Sequence, residues 1–80
     1  MFRTLVKTAA IAVEDQQVPV RYFELRTLRG ARRYSAEILL GPGDRIILDD
    51  DSVTNLEART MCLVPATLYS RLLAARATAA

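Results

Sequence analysis

Arginine is the residue type in this chain that is best suited to a binding role, and it is concentrated in one stretch. Residues 21–33 contain five arginines against a single acidic residue. Guanidinium groups hold phosphates through paired hydrogen bonds and stack on aromatic rings, and a two-stranded ribbon can enter a DNA groove. The candidate surface for contact with a nucleic acid or a protein partner consists of Arg26, Arg29, Arg32 and Arg33. The formal net charge of the chain is only +2, and charged hairpin tips are common in solvated proteins, so nucleic-acid binding is the alternative hypothesis.

The acidic residues near the middle of the chain offer a possible metal site. Asp49, Asp50 and Asp51 are consecutive, and carboxylate oxygens suit Mg²⁺ and Ca²⁺. The spacing does not match a calcium-binding loop, because the central glycine and the distal glutamate of that loop are missing. Three consecutive residues in a turn also cannot all face one ion. We interpret them as a solvated turn before a helix, and we predict no metal and no cofactor.

Catalytic motifs are not recognisable in the sequence. The chain has no histidine, which is the commonest general base. Its serines lack a nucleophile-elbow motif, and the segment 41–43 is too short for a phosphate-binding loop. Cys62 is the only cysteine, so it forms no intrachain disulfide and has no histidine to activate it. The sequence therefore predicts a protein that is not an enzyme.

The arginine-rich stretch lies within a predicted antiparallel β-meander. Alternating apolar and polar residues predict strands over residues 20–28 and 32–40, and three consecutive apolar residues predict a third strand over residues 45–48. Segment 3–13 is rich in β-branched residues, which favours a further strand, although its apolar residues also fit a helical stripe. The predicted sheet therefore has three or four strands.

The register of the central hairpin follows from its apolar residues. Phe23 and Leu25 lie beside Ile38 only when the loop has an even number of residues. A two-residue turn at residues 30–31 satisfies this condition, and a turn at residues 29–30 preserves the same parity. This register leaves a second apolar face that the helices cannot cover. Either the N-terminal segment or another chain would cover that face, which makes it a candidate oligomer interface, formed by Val20, Tyr22, Leu28, Leu39 and Ile46.

Two helical segments are predicted after the sheet. Segment 54–57 has the pattern of a capping box, and Ser52 is a second candidate for the cap. Pro65 disfavours a helical conformation at Val64, so we expect a break or kink there. Proline also suits the first turn of a helix, so the second segment begins at Pro65 and runs to about Arg76. Both segments should pack on one face of the sheet.

One short segment resembles part of a known family. Leu40-Gly-Pro-Gly-Asp-Arg-Ile-Ile-Leu48 is similar to the Leu-x-Pro-Gly-Asp-x-hydrophobic segment of AbrB-type swapped-hairpin DNA-binding domains. The resemblance covers nine of the 80 residues, and the other elements of that family are not recognisable upstream. The sequence therefore assigns no family.

Size and composition place these elements in one small α+β domain over residues 1–80. The N-terminal apolar stretch is too short for a signal peptide, and no run approaches the length of a membrane span. The single cysteine and the arginine- and alanine-rich composition are typical of a cytoplasmic protein from a GC-rich bacterium. We predict a non-catalytic binding or interaction module that acts through homodimerisation or a protein partner, away from membranes.

Overall fold

The chain folds into a four-stranded antiparallel sheet followed by one long helix, in a computed structural model that describes residues 2–79. The strands are β1 (Phe2–Val13), β2 (Gln16–Arg26), β3 (Arg32–Gly41) and β4 (Asp44–Asp50), and the helix is α1 (Val53–Ala79). Each strand pairs with the next along the chain, so β1 and β4 are the edge strands. The α+β class and the antiparallel meander are confirmed, and segment 3–13 is a strand rather than a helix.

The hairpin between β2 and β3 has a register that differs from the predicted one. Leu28, Arg29 and Gly30 form a three-residue loop, closed by a 3.0 Å hydrogen bond from the Thr27 amide to the Ala31 carbonyl. Gly30 has a φ of 79°, which is the left-handed conformation that such a loop requires at its last residue. Compared with an even-length turn, an odd-length loop places the opposite set of β2 side chains beside Ile38. The predicted two-residue turn, and with it the predicted register, is therefore wrong.

The hydrophobic core lies between α1 and one face of the sheet. The observed register pairs Val20 with Ile38 and Tyr22 with Ala36, and all four side chains are buried. Leu56 and Val64 of α1 pack on them. We call this side of the sheet the helix-covered face. Most of the hydrophobic stabilisation therefore comes from the packing of one helix on one sheet face.

The helix is continuous, and the predicted division into two segments is wrong. Ser52 caps its N-terminus, because the Asn55 amide donates a 3.0 Å hydrogen bond to the Ser52 hydroxyl. Pro65 lies inside α1 and removes one backbone donor, which costs roughly 3 kcal/mol in a helix interior. Leu56 before the proline and Val64 beside it are both buried against the same sheet face, at 0% and 1% exposure. This shared packing offsets the local cost and keeps the helix intact.

The C-terminal part of α1 extends past the end of the sheet. A helix of this length measures about 40 Å, and the molecule has principal extents of 52 × 20 × 19 Å. Arg71 forms an ion pair with Asp44 at the start of β4, which marks where the helix leaves the sheet. All nine side chains of residues 69–77 are exposed. We call residues 69–77 the helical extension.

Within residues 2–79, no helix is both long and apolar enough to cross a membrane.

Candidate functional site

The face of the sheet opposite the helix is uncovered, and we call it the open face. Strand alternation and the observed pairing decide which side chains it carries. A β-bulge between Leu5 and Lys7 exchanges the faces of β1, so that Arg3 and Leu5 belong to the open face while Lys7 points towards the helix. The central residues of the open face are Arg3, Leu5, Arg21, Phe23, Leu25, Arg33, Ser35, Glu37, Leu39, Arg45, Ile47 and Asp49.

Glu37 is the centre of the open face, and three arginines surround its carboxylate. Arg21 lies directly across the β2–β3 ladder and donates a hydrogen bond to Glu37 Oε1. Arg45 donates to Glu37 Oε2 over 3.2 Å, and Arg3 reaches the same oxygen at 3.5 Å. The Glu37 side chain is only 2% exposed, because these neighbours cover it. A buried carboxylate is tolerated only when it is paired in this way.

The pKa of Glu37 reflects this balance between burial and charge. Burial is the largest single influence and acts to raise the pKa, because it disfavours the ionised form. The hydrogen bond from Arg21 and the positive charges of Arg21, Arg3 and Arg45 act together in the opposite direction and outweigh it. The pKa of Glu37 is therefore held below its ordinary value of 4.5. Glu37 is ionised at neutral pH and orients the three guanidinium groups.

The arginines on the open face remain accessible although they pair with Glu37. The exposed fractions of their side chains are 49% for Arg3, 45% for Arg21 and 60% for Arg45. The guanidinium carbon of Arg3 lies 3.7 Å from the centroid of the Phe23 ring, which is a cation–π contact. Leu5 and Ile47 are also about half exposed on this face. The open face thus combines fixed positive charge with apolar surface, which suits an anionic partner that has flat groups.

The structure distributes the four predicted hairpin arginines among different contacts. Arg26 and Arg32 oppose each other across the ladder, and both lie near Glu24, at 3.3 Å and 3.9 Å from its Oε1. Arg33 forms an ion pair with Asp51. Arg29 is exposed at the tip of the loop. The four side chains therefore do not converge on one site, and three of them have acidic neighbours.

The structure does not bring the five residues of the predicted oligomer face together on one surface. Val20 and Tyr22 are 0% and 2% exposed, because they lie beneath α1 on the helix-covered face. Ile46 packs partly buried against the same core, directly across from Ile38. Leu39 lies on the open face, and Leu28 is fully exposed in the hairpin loop. The odd-length loop is the physical reason for this correction, because it turns the even positions of β2 towards the helix.

Sequence reasoning missed Arg3, Arg21, Glu37 and Arg45 as a group. A two-residue turn at residues 30–31 would set Glu24 against Glu37, which is an unfavourable pair, whereas the observed register sets Arg21 against Glu37. The charge of cross-strand neighbours was therefore the signal that could have identified the register. Arg3 and Arg45 lie on the two edge strands and reach Glu37 only through the sheet topology.

Of the acidic residues considered as a metal site, Asp50 and Asp51 are held in separate side-chain interactions. The pKa of Asp50 is lowered, chiefly because Asn55 donates a 3.1 Å hydrogen bond to its carboxylate, and Arg59 adds a 3.2 Å ion pair. Asp51 pairs with Arg33. Among the residues that the structure describes, no group of three acidic, histidine or cysteine side chains is arranged to hold a metal ion. The acidic turn ties β4 to the start of α1.

The helical extension is the second surface of interest. Tyr69, Leu72 and Leu73 are 62%, 45% and 45% exposed there. Between the extension and the β1–β2 turn runs a groove with an apolar floor of Val13, Pro65, Leu68, Tyr69 and Leu72. The acidic pair of that turn, residues 14 and 15, lies on the rim of the groove. The groove has a volume of about 630 Å³.

Comparison of the chain with protein-family models, with curated proteins and with solved structures finds no match.

Proposed function

We propose that this protein is a small non-catalytic binding module that acts as a homodimer through its helical extension. The observation that carries the proposal is a run of nine consecutive exposed helical residues that includes Tyr69, Leu72 and Leu73. Exposed apolar patches on small proteins usually mark contacts. An 80-residue chain also has a thin core, so a shared interface would add useful stability. The absence of histidine from the sequence supports a role other than catalysis.

Charge complementarity supports a second copy of the chain as the occupant of the groove. Glu14, Asp15 and Arg76 take no part in the nine ion pairs between described residues. When two extensions cross antiparallel at Leu72, Arg76 of one copy lies opposite Leu68 of the other. Leu68 lines the groove beside the Glu14–Asp15 turn. A two-fold axis would therefore form the Arg76–acidic turn contact twice.

Light scattering coupled to size-exclusion chromatography tests the proposal. We expect a species of twice the 8.9 kDa chain mass. Replacing Leu72 and Leu73 together by glutamine should shift the equilibrium to monomer, because it removes apolar area at the crossing point. Leu28→Gln is the matched control, because Leu28 is 101% exposed in a loop far from the extension. A monomer at every concentration overturns the proposal, and a dimer that survives the double substitution places the interface elsewhere.

Charge reversal provides a second test of the same interface. Arg76→Glu should weaken the dimer, because it sets like charges together at the groove. Combining it with Glu14→Lys and Asp15→Lys should restore dimerisation. Failure of the combined variant to recover would contradict the antiparallel arrangement, even if the protein were dimeric.

We further propose a cytoplasmic location. Cys62 is exposed and unpaired, and free thiols persist in reducing compartments.

A further inference from the structure

The open face carries positive charge that the fold itself does not neutralise. Three guanidinium groups, of Arg3, Arg21 and Arg45, surround the single carboxylate of Glu37. Two positive charges are therefore in excess at the centre of the face, and all three side chains remain 45–60% exposed. We propose that the open face binds single-stranded nucleic acid, with these three arginines holding its phosphates. This proposal concerns the side of the sheet opposite α1 and does not depend on the dimer.

Glu37 makes the three arginines a prearranged site. Flexible arginine side chains ordinarily lose conformational entropy when they bind a ligand. Here Arg21 and Arg45 are already hydrogen-bonded to the buried Glu37 carboxylate, and Arg3 is fixed between that carboxylate and the Phe23 ring. Part of the conformational entropy of the three arginine side chains is therefore already lost when the protein folds, and binding of a ligand does not have to remove it. Glu37 is a positioning residue, because it acts on the ligand through the arginines.

Base stacking distinguishes a nucleic acid from other anions on this face. The Arg3 guanidinium lies on the Phe23 ring at 3.7 Å, yet its side chain is 49% exposed. A guanidinium plane that is supported on one side in this way can stack on an unpaired base with the other side. The exposed side chains of Leu5 and Ile47 extend the apolar part of the platform to both edge strands.

The width of the sheet favours a single strand over a duplex. Four strands at about 4.8 Å spacing present a surface roughly 14 Å wide before side chains are added. A DNA major groove of about 12 Å admits a helix or a two-stranded ribbon, but not a face of this width. Unpaired bases, in contrast, can spread over an open sheet. A second copy of the chain is disfavoured here, because a two-fold axis would set the same arginines against each other.

Fluorescence anisotropy with labelled oligonucleotides tests the proposal. The probes are a single-stranded DNA 12-mer, a single-stranded RNA 12-mer, the DNA duplex of the same length and a polyglutamate peptide. Three phosphate contacts predict a salt slope of about −2, so affinity for the single strands should fall roughly twentyfold between 50 and 200 mM salt. No binding of either single strand at 50 mM salt overturns the proposal, as does tighter binding of the duplex or of polyglutamate.

Variants locate the contact on the protein. Arg3→Gln and Arg45→Gln should each weaken binding severalfold and reduce the salt slope by about 0.7, because each removes one phosphate contact. Arg29→Gln is the matched control, since it makes the same charge change on the exposed hairpin tip. If Arg29→Gln weakens binding as much as Arg45→Gln, the hairpin is the contact and the open-face proposal fails.

Glu37→Gln distinguishes a binding role from a purely structural one. Glutamine keeps the size of Glu37 but removes the negative charge that holds the three guanidinium groups in place, so affinity for the single strand should fall severalfold even though the face gains net positive charge. Circular dichroism at the assay temperature checks that each variant is folded. If folded Glu37→Gln binds single strands as tightly as the parent chain or more tightly, Glu37 does not position the arginines as proposed.

Discussion

The buried hydrogen bond between Tyr22 and Thr60 gives a prediction that can be worked out in detail. Tyr22 is 2% exposed on β2 and Thr60 is 0% exposed on α1, and their hydroxyl oxygens are 3.0 Å apart. The Thr60 hydroxyl also donates a 2.9 Å hydrogen bond to the Glu57 carbonyl. A hydroxyl has one proton to donate, so Thr60 must accept from Tyr22. The direction of the bond follows from this count.

The two partners should therefore respond unequally to removal. Tyr22→Phe removes the donor but leaves Thr60 bonded to Glu57, so it should cost the net value of one hydrogen bond, about 0.5–1.5 kcal/mol of unfolding free energy. Thr60→Val keeps the shape but leaves the Tyr22 hydroxyl buried without an acceptor, which should cost about 1–3 kcal/mol. The larger loss is a substantial fraction of the ~3–5 kcal/mol that a core of this size supports.

Urea denaturation followed by circular dichroism measures both effects at one protein concentration. The double variant should lose little more than Tyr22→Phe alone, because two apolar groups then face each other and no polar group is stranded. Additive losses in the double variant would show that the two hydroxyls are not coupled. A loss for Tyr22→Phe that exceeds the loss for Thr60→Val would refute the assigned direction of the bond.

Three further predictions concern the electrostatics and the helix. Because folding lowers the pKa of Glu37, the stabilising contribution of its carboxylate is present above pH 4.5 and is lost as the pH falls through the lowered value. Glu37→Gln should therefore flatten the decline of the unfolding free energy below about pH 4.5 in acid titrations. An unchanged decline would contradict this prediction. Ser52→Ala should lower the unfolding free energy by about 1 kcal/mol, because it removes the observed N-terminal cap of α1, whereas Thr54→Ala should change it little. Equal losses of unfolding free energy in the two variants would mean that both residues cap the helix. Pro65→Ala should raise the unfolding free energy by up to about 3 kcal/mol, because alanine restores a backbone donor inside α1. A lower thermal midpoint for the variant would mean that the packing of the proline ring contributes more to stability than the restored hydrogen bond.

The strands and turns were predictable because their signals are local. Alternating residues, Gly43 with its positive φ, and the serine before the helix each act within a few positions along the chain. The register of the β2–β3 hairpin was not predictable, because Gly30 can occupy either a two-residue turn or the last position of a three-residue loop. That one-residue difference decided which of Tyr22 and Phe23 faces the helix.

The continuity of α1 was also beyond local reasoning. Pro65 disfavours a helix locally, but Val64 beside it is buried against the sheet together with Leu56 two turns earlier. The packing energy of those side chains exceeds the local cost, and it exists only once the sheet has formed. Residues 69–77 continue the helix past the end of the sheet, and their side chains are exposed.

By itself, the sequence determined an α+β meander, the approximate start of its helix and a surplus of arginine, since each of these depends on neighbouring residues or on composition. The tertiary structure alone decided which arginines act together. Arg3, Arg21 and Arg45 belong to three different strands, and strand pairing brings them to Glu37. The hairpin arginines, which are close in sequence, are instead divided between Glu24 and Asp51 or left at the loop tip. Proximity along the chain therefore did not indicate which arginines share one carboxylate, because a β-sheet sets its neighbours by register rather than by sequence distance.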